Sequence, residues 1–214
     1  MKKIMFNDRY GLTKAVLNGT KTMTRRIVKG NNIIQINTSD GISHNVDKSI
    51  GSYHEYKDND GKIWIAWTPF KIGDVLAVAR SYGDIYMSYN DCLRHEYSLR
   101  VAAVHHNNDL VNIPGWNNKM FVKANLMPDR IQFTNIKLER LQDISDEDCM
   151  KEGIMEGEFM NTWDTFYYDM WGDVPNHITF RTARKAFASL IDRISGKGTW
   201  ESNPYVFVYE FELL

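Results

Sequence analysis

Gly19-Thr20-Lys21-Thr22-Met23-Thr24-Arg25-Arg26-Ile27-Val28 is the stretch where a helical pattern gives way to a strand pattern. Upstream of it, Asn7 or Asp8 is placed to cap a helix running to about Leu17, with Leu12, Ala15 and Val16 as a partial apolar stripe and Asn18-Gly19 as its stop. Downstream, residues 22 to 28 are rich in β-branched types and predict a strand, on which Thr24 and Arg26 share one face and Met23 and Arg25 the other. Lys21 then stands at the mouth of that strand, where its long side chain can fold back over Thr24. An amine, hydroxyls and two guanidinium groups following a flexible glycine can handle an acyl or phosphoryl oxygen. The same residues also fit a surface turn with solvated basic side chains, because short motifs recur by chance.

Working outward, residues 29 to 62 are rich in turn formers, and Asn59-Asp60-Gly61 marks a tight turn before the strand pattern Lys62 to Trp67, so an inserted hairpin or ordered loop is expected. Phe70-Lys71-Ile72-Gly73-Asp74 reads as a turn and Val75 to Arg80 as a strand buried on both faces. Residues 81 to 119 read as loop, with Tyr82, Tyr86, Tyr89, Tyr97 and Trp116 packing beneath it and one strand at Tyr97 to Val104. Strands are predicted at Lys119 to Val122 and at Asp129 to Leu141, the second alternating through Ile131, Phe133, Ile136 and Leu138 with one shift of phase.

Ser145 is a good N-cap for a helix ending near Gly153, and Asp148 stands three residues on, as in a capping box. Glu152 falls in the last turn, where the helix dipole disfavours a carboxylate, so it needs some other partner. Residues 155 to 178 form an aromatic insertion, able to cover a pocket or simply to pack. Thr182 to Ile194 predicts an amphipathic helix stopped by Gly196, and Tyr205 to Leu213 a closing strand. Strands and helices in this mixed order give an α+β class.

The chain has 214 residues, and burial of roughly 70% of the unfolded surface is expected at this size. Apolar residues at 43% and aromatics at 13% exclude a disordered chain and supply flat side chains for a planar ligand. A net charge of −1 argues against a general polyanion binder. Residues 1–30 carry eight Lys or Arg against one acid, and residues 139–173 carry eleven acids against two bases, so these two segments are predicted to face each other. Cys92 and Cys149 are too few for a disulfide framework or a metal-ligand set and fit a reducing cytoplasm. The N-terminus turns polar at Asn7-Asp8-Arg9, leaving no signal-peptide core, and no apolar run approaches membrane-spanning length. A cytoplasmic protein with no membrane partner is expected. His105 and His106 are adjacent, lack suitably spaced carboxylates or thiols, and read as loop residues; no metal site and no cofactor are expected.

The N-terminal helix followed by Gly-x-Lys-x-x-Thr-x-Arg, the Phe70-Lys71-Ile72-Gly73-Asp74 turn before an apolar strand, and a last strand containing Glu210-Phe211 resemble the ASCH domain family of the PUA-like superfamily. Leu141 to Asp148 and Gly198 to Pro204 resemble its longer bacterial and phage members. The resemblance implies one domain over residues 1–214, a PUA-like mixed β-barrel with flanking helices, carrying insertions at about 29–69, 81–119 and 155–178. Where the family pattern usually shows Glu, this chain has Thr24, as in the small amidohydrolases that remove the acyl group from N4-acetylcytidine. The likeness assigns their catalytic Lys and Thr to Lys21 and Thr24 by direct motif match, and their Glu most naturally to Glu152, with Glu147 and Glu156 close by in sequence. Arg25, Arg26 and Tyr82 are the residues expected to contact substrate.

Amide hydrolysis needs a nucleophile, proton transfer to the departing amine and stabilisation of an oxyanion. In one scheme neutral Lys21 takes the Thr24 hydroxyl proton and Thr24 attacks the acyl carbon, with Glu152 positioning Lys21. In the other, Glu152 activates a water while charged Lys21 and Thr24 hold the oxyanion. The expected partner is an N4-acylated cytosine base or nucleoside. An RNA-binding ASCH module, with Lys21, Arg25 and Arg26 on phosphate, and a ribonuclease using the same basic cluster are the alternatives.

Overall fold

The computed structural model describes residues 1–30, 33–35, 51–57, 61–158, 165–169 and 179–214. The chain opens with β1 (Lys2–Ile4), a single 3-10 turn at Asp8–Tyr10, α1 (Leu12–Leu17) and β2 (Met23–Ile27). The one helix predicted from Asn7 or Asp8 is therefore two pieces. Gly11 separates them at φ 62°, a left-handed conformation that glycine adopts without Cβ strain and that a continuous helix cannot contain. β3 (Ile33–Gln35), β4 (Ser52–Lys57) and β5 (Ile63–Thr68) form an antiparallel sheet in the order β3-β5-β4, so the expected hairpin is present as β4 and β5. Of the predicted turn there, Asn59 and Asp60 lie outside the described residues.

β6 (Val75–Val78) follows the Gly73 turn, and its Leu76, Ala77 and Val78 are wholly buried, as a continuous apolar run requires. Residues 81 to 119 depart from expectation: they hold α2 (Tyr82–Ser88) and α3 (Asp91–His105) where a loop and a strand were predicted. Ser81 and Asn90 cap these helices by accepting from the backbone N–H of Asp84 and Leu93. Within the predicted strand it is Tyr97 and Val101 that are buried, a spacing of four that belongs to a helix. His105 accordingly ends α3, and His106 caps it at φ 52°. Lys119–Phe121 is a single 3-10 turn in place of a strand, begun by the Asn118 side chain accepting from Met120 N–H.

β7 (Arg130–Arg140), α4 (Asp146–Lys151), the antiparallel pair β8 (Ile154–Glu158) and β9 (Thr165–Asp169), α5 (Ala183–Ser195), α6 (Thr199–Ser202) and β10 (Tyr205–Leu213) complete the order. Phe159, Trp163, Met170 and Trp171 of the aromatic insertion lie outside the described residues. The main sheet runs β1-β6-β7-β10-β2, with β1 parallel to β6 and the other neighbours antiparallel. Glu210 faces Asn135 and Phe211 faces Phe133, which leaves Thr134 as an extra residue on β7. That bulge is the physical form of the phase shift between Phe133 and Ile136.

The architecture is α+β with a mixed five-stranded sheet, and no closed barrel forms among the described residues. The sheet's two edges, β1 and β2, approach through side chains: Arg26 Nη2 donates to the Met5 carbonyl at 2.6 Å, and its guanidinium stands 5.9 Å from the centre of the Phe6 ring. α5 packs Ala183, Ala186, Phe187, Leu190 and Ile191 into the main core, each large side chain worth about 1.5–3 kcal/mol. A second apolar cluster lies under α2 and α3 around Tyr82, Ile85, Tyr97 and Val101. Among the described residues no helix is long and apolar enough to cross a membrane.

Candidate active site

The end of α1 and the end of α4 are fastened to the start of β2 by main-chain hydrogen bonds. Gly19, at φ 74°, turns the chain so that Thr20 and Lys21 both donate from backbone N–H to the Ala15 carbonyl at 3.0 Å. Thr22 N–H then donates to the Lys151 carbonyl at 2.9 Å, which sets the start of β2 beside the last turn of α4. α4 begins as predicted, with the Ser145 hydroxyl accepting from Asp148 N–H at 3.1 Å. It ends at Glu152, and Gly153 at φ 100° takes the chain away in a conformation that a side chain would strain.

Glu152 thereby meets Lys21. Lys21 Nζ donates to Glu152 Oε2 at 2.6 Å and to the Glu152 carbonyl at 2.7 Å, and only 1% of the lysine side chain reaches solvent. Glu152 Oε1 accepts from Arg25 Nη1 at 3.2 Å. The same guanidinium donates to Glu139 Oε1 at 2.7 Å and to Asp148 Oδ2 at 3.0 Å, so Asp148 serves Arg25 through its carboxylate and the Ser145 cap through its backbone. The partner that an unfavourable helix end demanded of Glu152 is this pair of cations. The basic N-terminal segment and the acidic later segment meet here, as their opposite charges predicted. Met23 and Arg25 share a strand face, with Arg25 Nη1 3.1 Å from Met23 Sδ.

These groups border a cavity of about 410 Å³. Lys21, Thr24, Arg25, Arg26 and Glu152 supply its polar side, while Phe6, Leu12 and the α5 residues Phe187, Leu190, Ile191 and Ile194 supply an apolar wall. Among the described residues the Thr24 hydroxyl makes no hydrogen bond, although the residue is buried on the cavity wall. Lys21 is held below the ordinary lysine range: desolvation lowers it most, Glu152 opposes that, and Arg26 and Arg25 add to the lowering. A neutral amine here uses its two N–H donors on the Glu152 carbonyl and carboxylate, leaving the lone pair for an incoming proton.

The three residues assigned to catalysis, Lys21, Thr24 and Glu152, line one cavity, and the exposed Arg26 lines it with them. Arg25 lines it too, but its guanidinium is engaged by three carboxylates and orients Glu152 instead of reaching for a ligand. Tyr82 is a correction. It is wholly buried in the second cluster, where its hydroxyl accepts from Lys123 N–H at 2.8 Å and lies 3.1 Å from His105 Nε2, and it does not border the cavity. An aromatic at the start of an apolar-spaced helix is driven into the core by its own area.

The roles of Glu139 and Asp148 as anchors of Arg25, and of α5 as the apolar wall, were not singled out in the sequence. The acidic excess over 139–173 and the amphipathic spacing of α5 were the available signals. Cys149 lies close by, and burial pushes its thiol up to about 12, which disfavours the thiolate that nucleophilic attack needs. Among the described residues no three His, Cys, Asp or Glu side chains gather where they could hold a metal ion. No protein-family model, no curated protein and no solved structure matches the chain.

Proposed function

We propose that the protein is an amidohydrolase that removes the acyl group from the exocyclic amine of an N4-acylated cytosine base or nucleoside, on a PUA-like scaffold whose five-stranded sheet is an opened barrel. The observation that carries the reading is the buried Lys21, bonded to Glu152 and with a lowered proton affinity, in the same cavity as an unengaged Thr24 hydroxyl. Lysine is rarely buried this completely unless its environment uses the charge or removes it.

The chemistry then runs as follows. Neutral Lys21 takes the Thr24 hydroxyl proton as Oγ1 bonds to the acyl carbon, and the carbonyl electrons move onto oxygen. As the tetrahedral species collapses, the bond from carbon to the exocyclic nitrogen breaks and the Lys21 ammonium returns its proton to that nitrogen. A water repeats the sequence on the Thr24 ester, giving the carboxylic acid and free Thr24. Glu152 holds Lys21 in place throughout, and Arg25 holds Glu152. The apolar wall from α5 suits the acyl group and one face of the base.

The RNA-module and nuclease alternatives ask Lys21, Arg25 and Arg26 to meet phosphate together. Lys21 and Arg25 are buried and bonded to carboxylates, which weighs against them, and Arg26 is the one exposed cation of the three. The test is incubation of purified protein and chelator with N4-acetylcytidine. Release of cytidine and acetate is expected, and unchanged substrate across several acyl groups would overturn the proposal.

A further inference from the structure

A second cavity of about 270 Å³ lies in the gap between the two sheet edges, bordered by β1 on one side and β2 on the other. Arg26, Ile27 and Lys29 border both cavities, so one wall separates them. We propose that this second cavity is a subsite for the nucleotide adjoining the one held in the first, joined to it by a phosphodiester lying across Arg26 and Lys29. The inference rests on the nucleoside reading of the first cavity and gives its substrate a class: a dinucleotide unit in place of a free nucleoside.

The charges on the dividing wall differ from those inside the first cavity. Lys21 and Arg25 are neutralised by carboxylates, whereas Arg26 and Lys29 form no ion pair among the described residues. Arg26 uses one N–H on the Met5 carbonyl and has others to give. Two exposed cations with no ion pair among the described residues, set between two ligand-sized hollows, favour one anionic group at that place, and phosphate takes several donors at once.

The hollow beyond them is lined by flat rings, including Trp67, Phe70 and Tyr209, and every nucleobase offers a face to stack on such surfaces. Its floor also carries a spare proton. Thr68 Oγ1 and Tyr209 OH are 2.6 Å apart and buried, so their two hydroxyls spend one proton on each other and keep one for an acceptor in the cavity. Burial raises the Tyr209 phenol above its ordinary value, so that proton stays. A base carbonyl or ring nitrogen is the matching acceptor.

The experiment compares equilibrium binding of cytidine and of the dinucleoside monophosphate CpC to the full chain by titration calorimetry. CpC is expected to bind about tenfold tighter or more, from one stacked base and one phosphate contact. Its affinity should fall with salt at a logarithmic slope of about −0.7, while that of cytidine stays flat. Lys29→Glu, at an exposed position that leaves folding intact, should bring the CpC-to-cytidine ratio to near unity, and Thr68→Val should lower it in part. Equal affinities, no binding of CpC, or an unchanged ratio in Lys29→Glu would overturn the subsite. Neither probe carries an acyl group, so absent hydrolysis leaves the subsite standing, and hydrolysis of N4-acetylcytidine without a CpC preference removes the subsite alone.

Discussion

Two regions bury polar groups by opposite means. At the meeting of β2 and α4, the ionisable side chains of Lys21 and Arg25 are buried, and each has a carboxylate within 3.2 Å. Under α2 and α3, Tyr82 and Tyr97 are buried as aromatic bodies, and among the described residues the Tyr97 hydroxyl has no hydrogen-bond partner. A phenol brings enough apolar area to tolerate one lost hydrogen bond, whereas an ammonium or guanidinium cannot leave water without compensation. The first arrangement therefore costs free energy that packing elsewhere must offset, and such sites are where function concentrates. The second is core.

The sharpest break of this contrast is Glu152→Ala. It leaves Lys21 buried without its carboxylate, a change of about 3–5 kcal/mol read by urea denaturation at neutral pH. The loss should shrink as pH rises. Without Glu152 the folded-state proton affinity of Lys21 falls further below 10.5, the unfolded chain binds more protons, and stability climbs with pH until the unfolded lysine also deprotonates. A pH-independent loss would mean that Lys21 is not the group left uncompensated. Next, Lys21→Ala should lower kcat on the order of 10²-fold or more. Thr24→Ser keeps a hydroxyl and measurable turnover, and Thr24→Ala loses most of it.

In the other region Tyr82→Phe strands Lys123 N–H, at about 1–2 kcal/mol in a melting curve, and should leave kcat unchanged. A fall in kcat would restore Tyr82 to the site. The smallest effect belongs to Glu147→Gln on the exposed first turn of α4, which should be silent in both stability and turnover.

What could be read beforehand follows the same division. The charge asymmetry, the misplaced Glu152 and the Gly19 stop were local facts whose consequences the ion pairs realise. Strand β10 spans Tyr205–Leu213, the range expected of the closing strand, and α5 starts after Thr182 as its cap required. The α2 and α3 segment hides its helices because Tyr97, Val101 and Val104 are strand formers by type, while only their spacing, fixed by what the segment packs against, marks a helix. Gly11 hides its break for a related reason: a glycine beside an apolar stripe is legible as a break only once its φ of 62° is known. Which guanidinium would be sequestered and which left free depended on Glu139 and Asp148 arriving from β7 and α4, a long-range event that no local pattern contains.

The central claim is that burial prepares Lys21 to act as a base. The most direct test is the pH dependence of the single-turnover rate on N4-acetylcytidine between about pH 6 and 10. The wild-type rate should rise with pH along a limb whose midpoint lies below 10.5, Glu152→Gln should move that limb to lower pH because the carboxylate's raising effect is gone, and Lys21→Ala should abolish it. A flat profile, or the same limb in Lys21→Ala, would contradict the account.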